Sequence, residues 1–119
     1  MKSDIIFEDK NNYLQIKYYG YNNVEIFFDS LEKAFKICKE KNYPNLVLDI
    51  LNVDFGKITF TDKYDAGEKI AELFSYPKKV AVLAPKKFHD SLAENVATNR
   101  GANIKAFHDI NDAIKWIIE

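Results

Sequence analysis

Two histidine–aspartate neighbours and one cysteine are the residues of this chain that could take part in acid–base or nucleophilic chemistry. His89 precedes Asp90, His108 precedes Asp109, and the single cysteine is Cys38. Neither histidine is accompanied by a nucleophile-elbow or metal-binding spacing. Asp90 and Asp109 are better explained as helix-start residues, and Cys38 falls at the inward spacing of a helix, as a small core residue would. We therefore expect no enzyme activity, no cofactor and no metal site; a hydrolase or transferase using either histidine is a distant alternative.

The composition is that of one ordinary globular domain. The chain has 119 residues, 47% hydrophobic and 29% charged, so we expect a single domain over residues 1–119. Its 17 basic and 18 acidic residues leave a net charge of −1, which argues against nucleic-acid binding. One cysteine excludes an intramolecular disulfide, and no apolar run resembles a signal peptide or approaches the roughly 20 residues that span a bilayer. A cytoplasmic location is the default expectation.

Alternating strand-like and helix-like patterns run through the whole chain. Short apolar or alternating runs predict strands at Ile5–Glu8, Tyr13–Tyr19, Leu46–Leu51, Val80–Leu83 and Ile104–Phe107. Helical spacing predicts one helix from an Asn22–Glu25 capping pair to about Lys41, one after the connection Asn52–Thr61, one over Phe88–Arg100, and one capped by Asp109 and Asp112. The order β-β-α-β-α-β-α-β-α predicts an α/β fold with a mixed, mostly parallel sheet and helices on its faces.

The second predicted strand is expected to have one face in water. Leu14, Ile16 and Tyr18 alternate with the more polar Gln15, Lys17 and Tyr19. The short turn Asp9–Asn12 predicts an antiparallel hairpin with the first strand, and Gly20 is expected to end the second.

The connection Asn52–Thr61 is the strongest candidate for a binding site. Ligand sites in open α/β sheets lie beyond the carboxyl ends of the strands, and this connection leaves such an end. It also leads to a helix N-terminus, where free N–H groups favour an anion, so a phosphate on a ligand or on Thr61 would fit there. The simpler interpretation is that Thr61 or Asp62 only caps the helix.

Two lysines should lie at the same edge of the sheet as this connection. Lys86 and Lys87 follow the strand Val80–Leu83, whereas Lys78 and Lys79 precede it and should lie at the opposite edge. The predicted ligand or partner surface comprises Asp54, Phe55, Lys57, Thr59, Thr61, Asp62, Lys86 and Lys87.

Several segments resemble a known family. Leu46–Phe55 resembles the central strand and following turn of STAS domains, which are found in anti-sigma-factor antagonists and in the cytosolic tails of sulphate transporters. Thr61–Gly67, Val96–Gly101 and the stretch from Ala106 to Trp116 are similar to the SpoIIAA-like branch of these domains. The resemblance implies protein–protein recognition or small-molecule binding rather than catalysis. The same branch is similar in architecture to CRAL-TRIO lipid-binding domains, which implies a possible apolar ligand.

One element of signalling STAS domains is missing from this sequence. Those domains carry an Asp-Ser-Ser-Gly-like element after the central strand, with a phosphorylated serine at the helix N-terminus. This chain has Gly56–Asp62 there, without serine and with longer spacing. Thr59 or Thr61 could take a comparable place, so both are candidate phosphoacceptors.

Two functions follow as hypotheses. The first is a non-enzymatic STAS-like interaction or regulatory module that binds an unknown protein or a second copy of itself. Tyrosines near element ends favour it, since tyrosine is common at interfaces: Tyr19, Tyr21, Tyr43, Tyr64 and Tyr76. The alternative is a carrier or sensor of a lipid or other small apolar or anionic ligand, with a pocket between the sheet and the first two helices. The phenylalanines predicted to line that pocket are Phe27, Phe28, Phe35, Phe60 and Phe74.

Overall fold

The predicted order of strands and helices is confirmed. The structure, a computed structural model, describes residues 4–74, 77–86 and 92–119. Its strands are β1 (Asp4–Asp9), β2 (Leu14–Tyr21), β3 (Asn45–Asp54), β4 (Lys79–Leu83) and β5 (Ile104–Phe107), and its helices are α1 (Val24–Lys41), α2 (Phe60–Leu73), α3 (Leu92–Asn99) and α4 (Ile110–Ile118). Within these three ranges, no helix is long and apolar enough to cross a membrane.

The five strands form one mixed sheet in the order β1-β2-β3-β4-β5. β1 and β2 form the expected antiparallel hairpin, and every other neighbouring pair is parallel. Parallel strands that follow one another in this order need right-handed crossovers, which place the connecting helices on one face. α1, α2 and α3 accordingly share one face of the sheet, while α4 packs on the other. The carboxyl ends of β2, β3, β4 and β5 therefore meet at one edge.

The main core lies under the three connecting helices. Leu31, Phe35 and Cys38 of α1 are buried against Ile16 of β2 and Leu48 of β3. These α1 residues recur at the spacing of a helix with one apolar face, as the sequence indicated. Burial of such a stripe, rather than helix propensity, supplies most of the stability of a helix of this kind.

A smaller core lies under α4. Ala113 and Ile117 pack against Ala81 and Leu83 of β4. Trp116 anchors the same helix, with its ring 5.7 Å from that of Phe107. The Lys79 ammonium lies 5.2 Å from the Trp116 ring and donates a 2.9 Å hydrogen bond to the Trp116 carbonyl.

Two expectations for β2 are wrong. Gln15 was expected in water but is only 5% exposed, because it lies beside Val47 on the sheet face that the smaller core under α4 covers. Gly20 does not end the strand, which continues to Tyr21. The register against β3 shifts between Lys17 and Tyr19, and Gly20 takes a positive φ of 72° beyond the shift.

Asn23, and not Asn22, caps α1. The Asn23 side chain accepts a 2.8 Å hydrogen bond from the Ile26 backbone N–H, as an N-cap residue does. Asn22 is instead fully buried and donates from its amide to the Tyr19 carbonyl. The helix ends as expected after Lys41, where Asn42 adopts the left-handed conformation.

Candidate functional site

The loop between β3 and α2, residues Phe55–Thr59, begins with a tight turn at the carboxyl end of β3. The Asp54 carboxylate accepts a 2.7 Å hydrogen bond from the Gly56 N–H. Gly56 has a φ of 69°, and a Cβ added there would lie 3.1 Å from Cε2 of Tyr21. The turn therefore needs glycine both for its backbone conformation and for the close approach of the tyrosine ring.

A reciprocal pair of hydrogen bonds begins α2. The Asp62 N–H donates to Thr59 Oγ1 at 3.1 Å, and the Thr59 N–H donates to Asp62 Oδ2 at 3.0 Å. The prediction that Thr61 or Asp62 is the cap is therefore wrong: Thr59 is the N-cap and Asp62 completes the capping box. The Thr-x-x-Asp spacing was the available signal. The connection is also shorter than Asn52–Thr61, since β3 continues to Asp54.

The outer side of this region carries exposed polar side chains. Asp54, Lys57, Thr59, Thr61 and Lys86 are all exposed. Lys86 follows β4 at the same edge of the sheet, whereas its neighbour Lys87 lies outside the described residues. The described residues of the predicted surface therefore lie at the carboxyl edge of the sheet. Their role in binding stays a prediction.

An aromatic patch, defined as Phe60, Tyr64 and Arg100, extends along α2 from its first residue, and Arg100 joins it from the end of α3. Phe60 is 71% exposed at the first position of α2, although the sequence placed it in a pocket. Tyr64 follows one turn later on the same helix face. The Arg100 guanidinium lies 5.9 Å from the Tyr64 ring, donates a 2.9 Å hydrogen bond to its hydroxyl and pairs with Glu68 at 3.1 Å.

The inner side of the same region forms one wall of an apolar cavity. The cavity has a volume of about 160 Å³ and lies between the sheet and helices α1, α2 and α3. Its apolar lining includes Phe27, Phe28, Phe55, Ile58, Ile70 and Val82. The Phe55 ring lies edge-on to Phe27, with centroids 5.3 Å apart.

The predicted location of the pocket agrees with this cavity, but its predicted lining agrees only in part. Phe27 and Phe28 line it. Phe35 and Phe74 instead pack on each other, with ring centroids 6.4 Å apart, and Phe60 points into solvent. Phe55 lines the cavity although the sequence assigned it to the surface. Helical spacing identifies the apolar face of a helix but not which of its residues borders a void.

Two carboxylates that border the cavity are held by backbone N–H groups. Asp62 belongs to the capping box, and Glu94 of α3 accepts a 2.6 Å hydrogen bond from the Ala106 N–H of the edge strand β5. Below the cavity, Tyr18 is hydrogen-bonded to Ser30, whose hydroxyl donates to the Phe27 carbonyl. Burial raises the pKa of the Tyr18 phenol well above its ordinary value, so it stays neutral.

Solved structures share this arrangement of strands and helices. An anti-sigma factor antagonist from Mycobacterium paratuberculosis matches with a TM-score of 0.65 and 15% identity, covering 99% of this chain and 96% of that one. An uncharacterized protein with a SpoIIAA-like fold from Shewanella loihica matches with a TM-score of 0.57 and 19% identity, covering 97% and 93%. The fold is SpoIIAA-like. No protein-family model matches the sequence, and neither does any curated protein.

The resemblance to SpoIIAA-like domains is thus confirmed for the fold. Identities of 15% and 19% carry no residue roles across, so the site must be argued from this chain alone. What the SpoIIAA-like fold supplies is the common edge at which the β3–α2 loop, the N-terminus of α2 and the end of β4 come together.

On this SpoIIAA-like scaffold, His108 and Asp109, one of the two histidine–aspartate neighbours, have structural partners. His108 Nδ1 lies 2.8 Å from the Ala84 carbonyl, so that nitrogen carries the proton, and Asp109 caps α4 by accepting from the Asn111 N–H. His89 and Asp90 lie outside the described residues. Cys38 is buried, and burial raises the pKa of its thiol to about 12. No cluster of metal-ligating side chains occurs in the described residues.

Proposed function

We propose that this chain is a non-enzymatic interaction module that binds a protein partner through the carboxyl edge of its sheet. The contact surface comprises the outer side of the β3–α2 loop and the aromatic patch. The observation that carries the proposal is Phe60, a large apolar side chain that is 71% exposed at the start of a helix. Exposing so much apolar surface gains nothing for the folded chain, but a partner that covers it gains its burial.

The neighbours of Phe60 support a protein as the partner. Tyrosine and arginine are enriched among the residues that dominate binding energy at protein interfaces, and Tyr64 and Arg100 are already held against each other. Such pre-ordering lowers the entropy cost of binding. The surface also mixes both charge signs, Lys57 and Lys86 with Asp54, which suits a protein better than a uniformly charged polymer.

The similarity to an anti-sigma factor antagonist adds support from outside the chain. That protein is an antagonist of an anti-sigma factor, which is itself a protein. The structural roles of His108 and Asp109 further support a module that recognises rather than reacts. A cytoplasmic site of action and self-association as one mode of binding belong to the same proposal.

A bait experiment with two matched variants tests the proposal. Wild-type protein, Phe60→Ala and Ile118→Ala are used as baits in lysate of cells that make the protein. Ile118 is a suitable control because it is 66% exposed on the helix that packs on the opposite sheet face. An enriched protein is then produced separately and titrated by calorimetry, while sedimentation tests self-association.

Phe60→Ala should weaken binding by at least about 2 kcal/mol, roughly 30-fold, if Phe60 is a central anchor of the interface. Ile118→Ala should change the affinity by less than about 0.5 kcal/mol, as surface substitutions elsewhere do. Equal binding by wild type and Phe60→Ala, or a chain that stays monomeric and enriches nothing, contradicts the proposal.

A further inference from the structure

The apolar cavity under the β3–α2 loop is large for a chain of this size. Its volume of about 160 Å³ is comparable to that of an engineered cavity of roughly 150 Å³, lined by Leu, Ile and Phe, that binds benzene, although this cavity is partly open to solvent rather than enclosed. Well-packed interiors leave few voids larger than a water molecule. The cavity also lies outside the partner surface, since Phe55 and Ile58 face inward while Lys57 and Phe60 face solvent.

Water is a poor occupant of such a space. An internal water needs two to four polar partners, and the lining is built almost entirely from aromatic and aliphatic side chains. The Asp62 and Glu94 carboxylates that border it already accept hydrogen bonds from the N–H groups of Thr59 and Ala106. Lys63 also lines the cavity, so its charged lining comprises two carboxylates and one ammonium. The net charge of this lining is negative, which disfavours an anionic head group.

The walls of the cavity are fixed by bonds that exist without a ligand. The turn at Gly56 is set by the Asp54 carboxylate, and the start of α2 is set by the capping box of Thr59 and Asp62. The Phe27 side of the cavity rests on Tyr18, whose ring centroid lies 5.3 Å from that of Phe27. A preformed apolar site of this kind binds without a large cost of ordering the protein.

We propose that this cavity binds a small, uncharged, apolar molecule of about the size of a benzene ring and discriminates against molecules with an ionised carboxylate. The site does not depend on the partner surface, so it can be tested with the isolated chain. Because Phe55 and Ile58 form its outer wall, the occupant contacts the β3–α2 loop from within.

The test uses the full chain with ¹³C-labelled isoleucine methyl groups, titrated with benzene and, separately, with octanoate. Benzene should shift the methyl signals of Ile58 and Ile70, which line the cavity, and raise the melting temperature. The methyl signals of Ile117 should stay in place, because Ile117 is buried under α4 on the opposite face. Octanoate should bind at least about tenfold more weakly, which corresponds to about 1.4 kcal/mol.

Filling the cavity from within gives the matched control. Ala66 lines the cavity, whereas Ala71 lies on the same helix and borders a different, polar depression. Ala66→Leu should remove benzene binding, and Ala71→Leu should leave it unchanged. If Ala66→Leu does not fold, Ala106→Val fills the cavity from β5 instead.

Three results would overturn the proposal. The first is the absence of benzene-dependent shifts at Ile58 and Ile70, and the second is equal binding of octanoate at the same methyl groups. The third is benzene binding that survives the filling variants. None of these results bears on whether Phe60 contacts a protein partner, so the two proposals fail independently.

Discussion

The start of α2 can be tested with a single hydroxyl. Thr59→Ala removes Oγ1, which accepts the 3.1 Å hydrogen bond from the Asp62 N–H, while the reverse bond from the Thr59 N–H to Asp62 remains possible. Loss of a threonine N-cap costs about 1 kcal/mol, within a range of about 0.5–2. For a chain of this length, that amount should lower the melting temperature by about 4 °C. Urea unfolding followed by circular dichroism measures the free-energy change directly.

Thr61→Ala is the matched control, because Thr61 is exposed at the second position of α2. It should change the free energy of unfolding by less than about 0.5 kcal/mol. Thr59→Ser should stay close to wild type, since serine also caps well. The opposite result would be a loss of about 1 kcal/mol in the free energy of unfolding for Thr61→Ala and none for Thr59→Ala. In that case the cap is Thr61, and the assigned geometry of the loop is incorrect.

Three further outcomes follow from buried groups. Ser30→Ala should destabilise the chain more than Tyr18→Phe in urea unfolding, by about 1–3 against about 0.5–1.5 kcal/mol, because it leaves the buried Tyr18 hydroxyl without its partner; the reverse order would contradict this. The free energy of unfolding should fall as the pH rises from 9 toward 12, because the Cys38 thiol ionises there in the unfolded chain but stays protonated in the folded one. The free energy of unfolding of Cys38→Ala should fall less steeply over the same range. Equal slopes for the wild type and Cys38→Ala would refute the raised pKa of the thiol. Gly56→Ala should cost at least about 1 kcal/mol, because its positive φ disfavours a side chain and its Cβ would crowd Tyr21; an unchanged melting temperature would disprove this.

The fold was readable from the sequence because two periodicities carry it. The nearly continuous apolar run Leu46–Leu51, which only Asp49 interrupts, predicted a strand covered on both faces, and β3 is flanked by α1 on one side and the α4 core on the other. The stripe through Leu31, Phe35 and Cys38 predicted the buried face of α1. Both patterns depend only on which faces of a strand or helix are buried, and the spacing of apolar residues along the sequence indicates this.

The details of the site were less readable because they depend on contacts across the fold. Gln15 is buried because α4, at the far end of the chain, packs on its face of the sheet, and an alternating pattern in β2 does not reveal that cover. Phe60 is exposed and Phe55 lines the cavity, which is the reverse of their expected places. The helix begins two residues earlier than expected, so Phe60 is its first residue and not part of the connection before it.

The β3–α2 loop explains why a recognition surface and an apolar cavity can lie back to back in so small a domain. The loop is short, and local hydrogen bonds set its backbone conformation at both ends, at the Asp54–Gly56 turn and at the Thr59 cap. Its inward residues, Phe55 and Ile58, then bridge the space over the strand ends rather than filling it. The same fixation holds the exposed side of the loop in one conformation. The cavity is therefore the space that stays unfilled because backbone hydrogen bonds, rather than core packing, set the conformation of the surface loop above it.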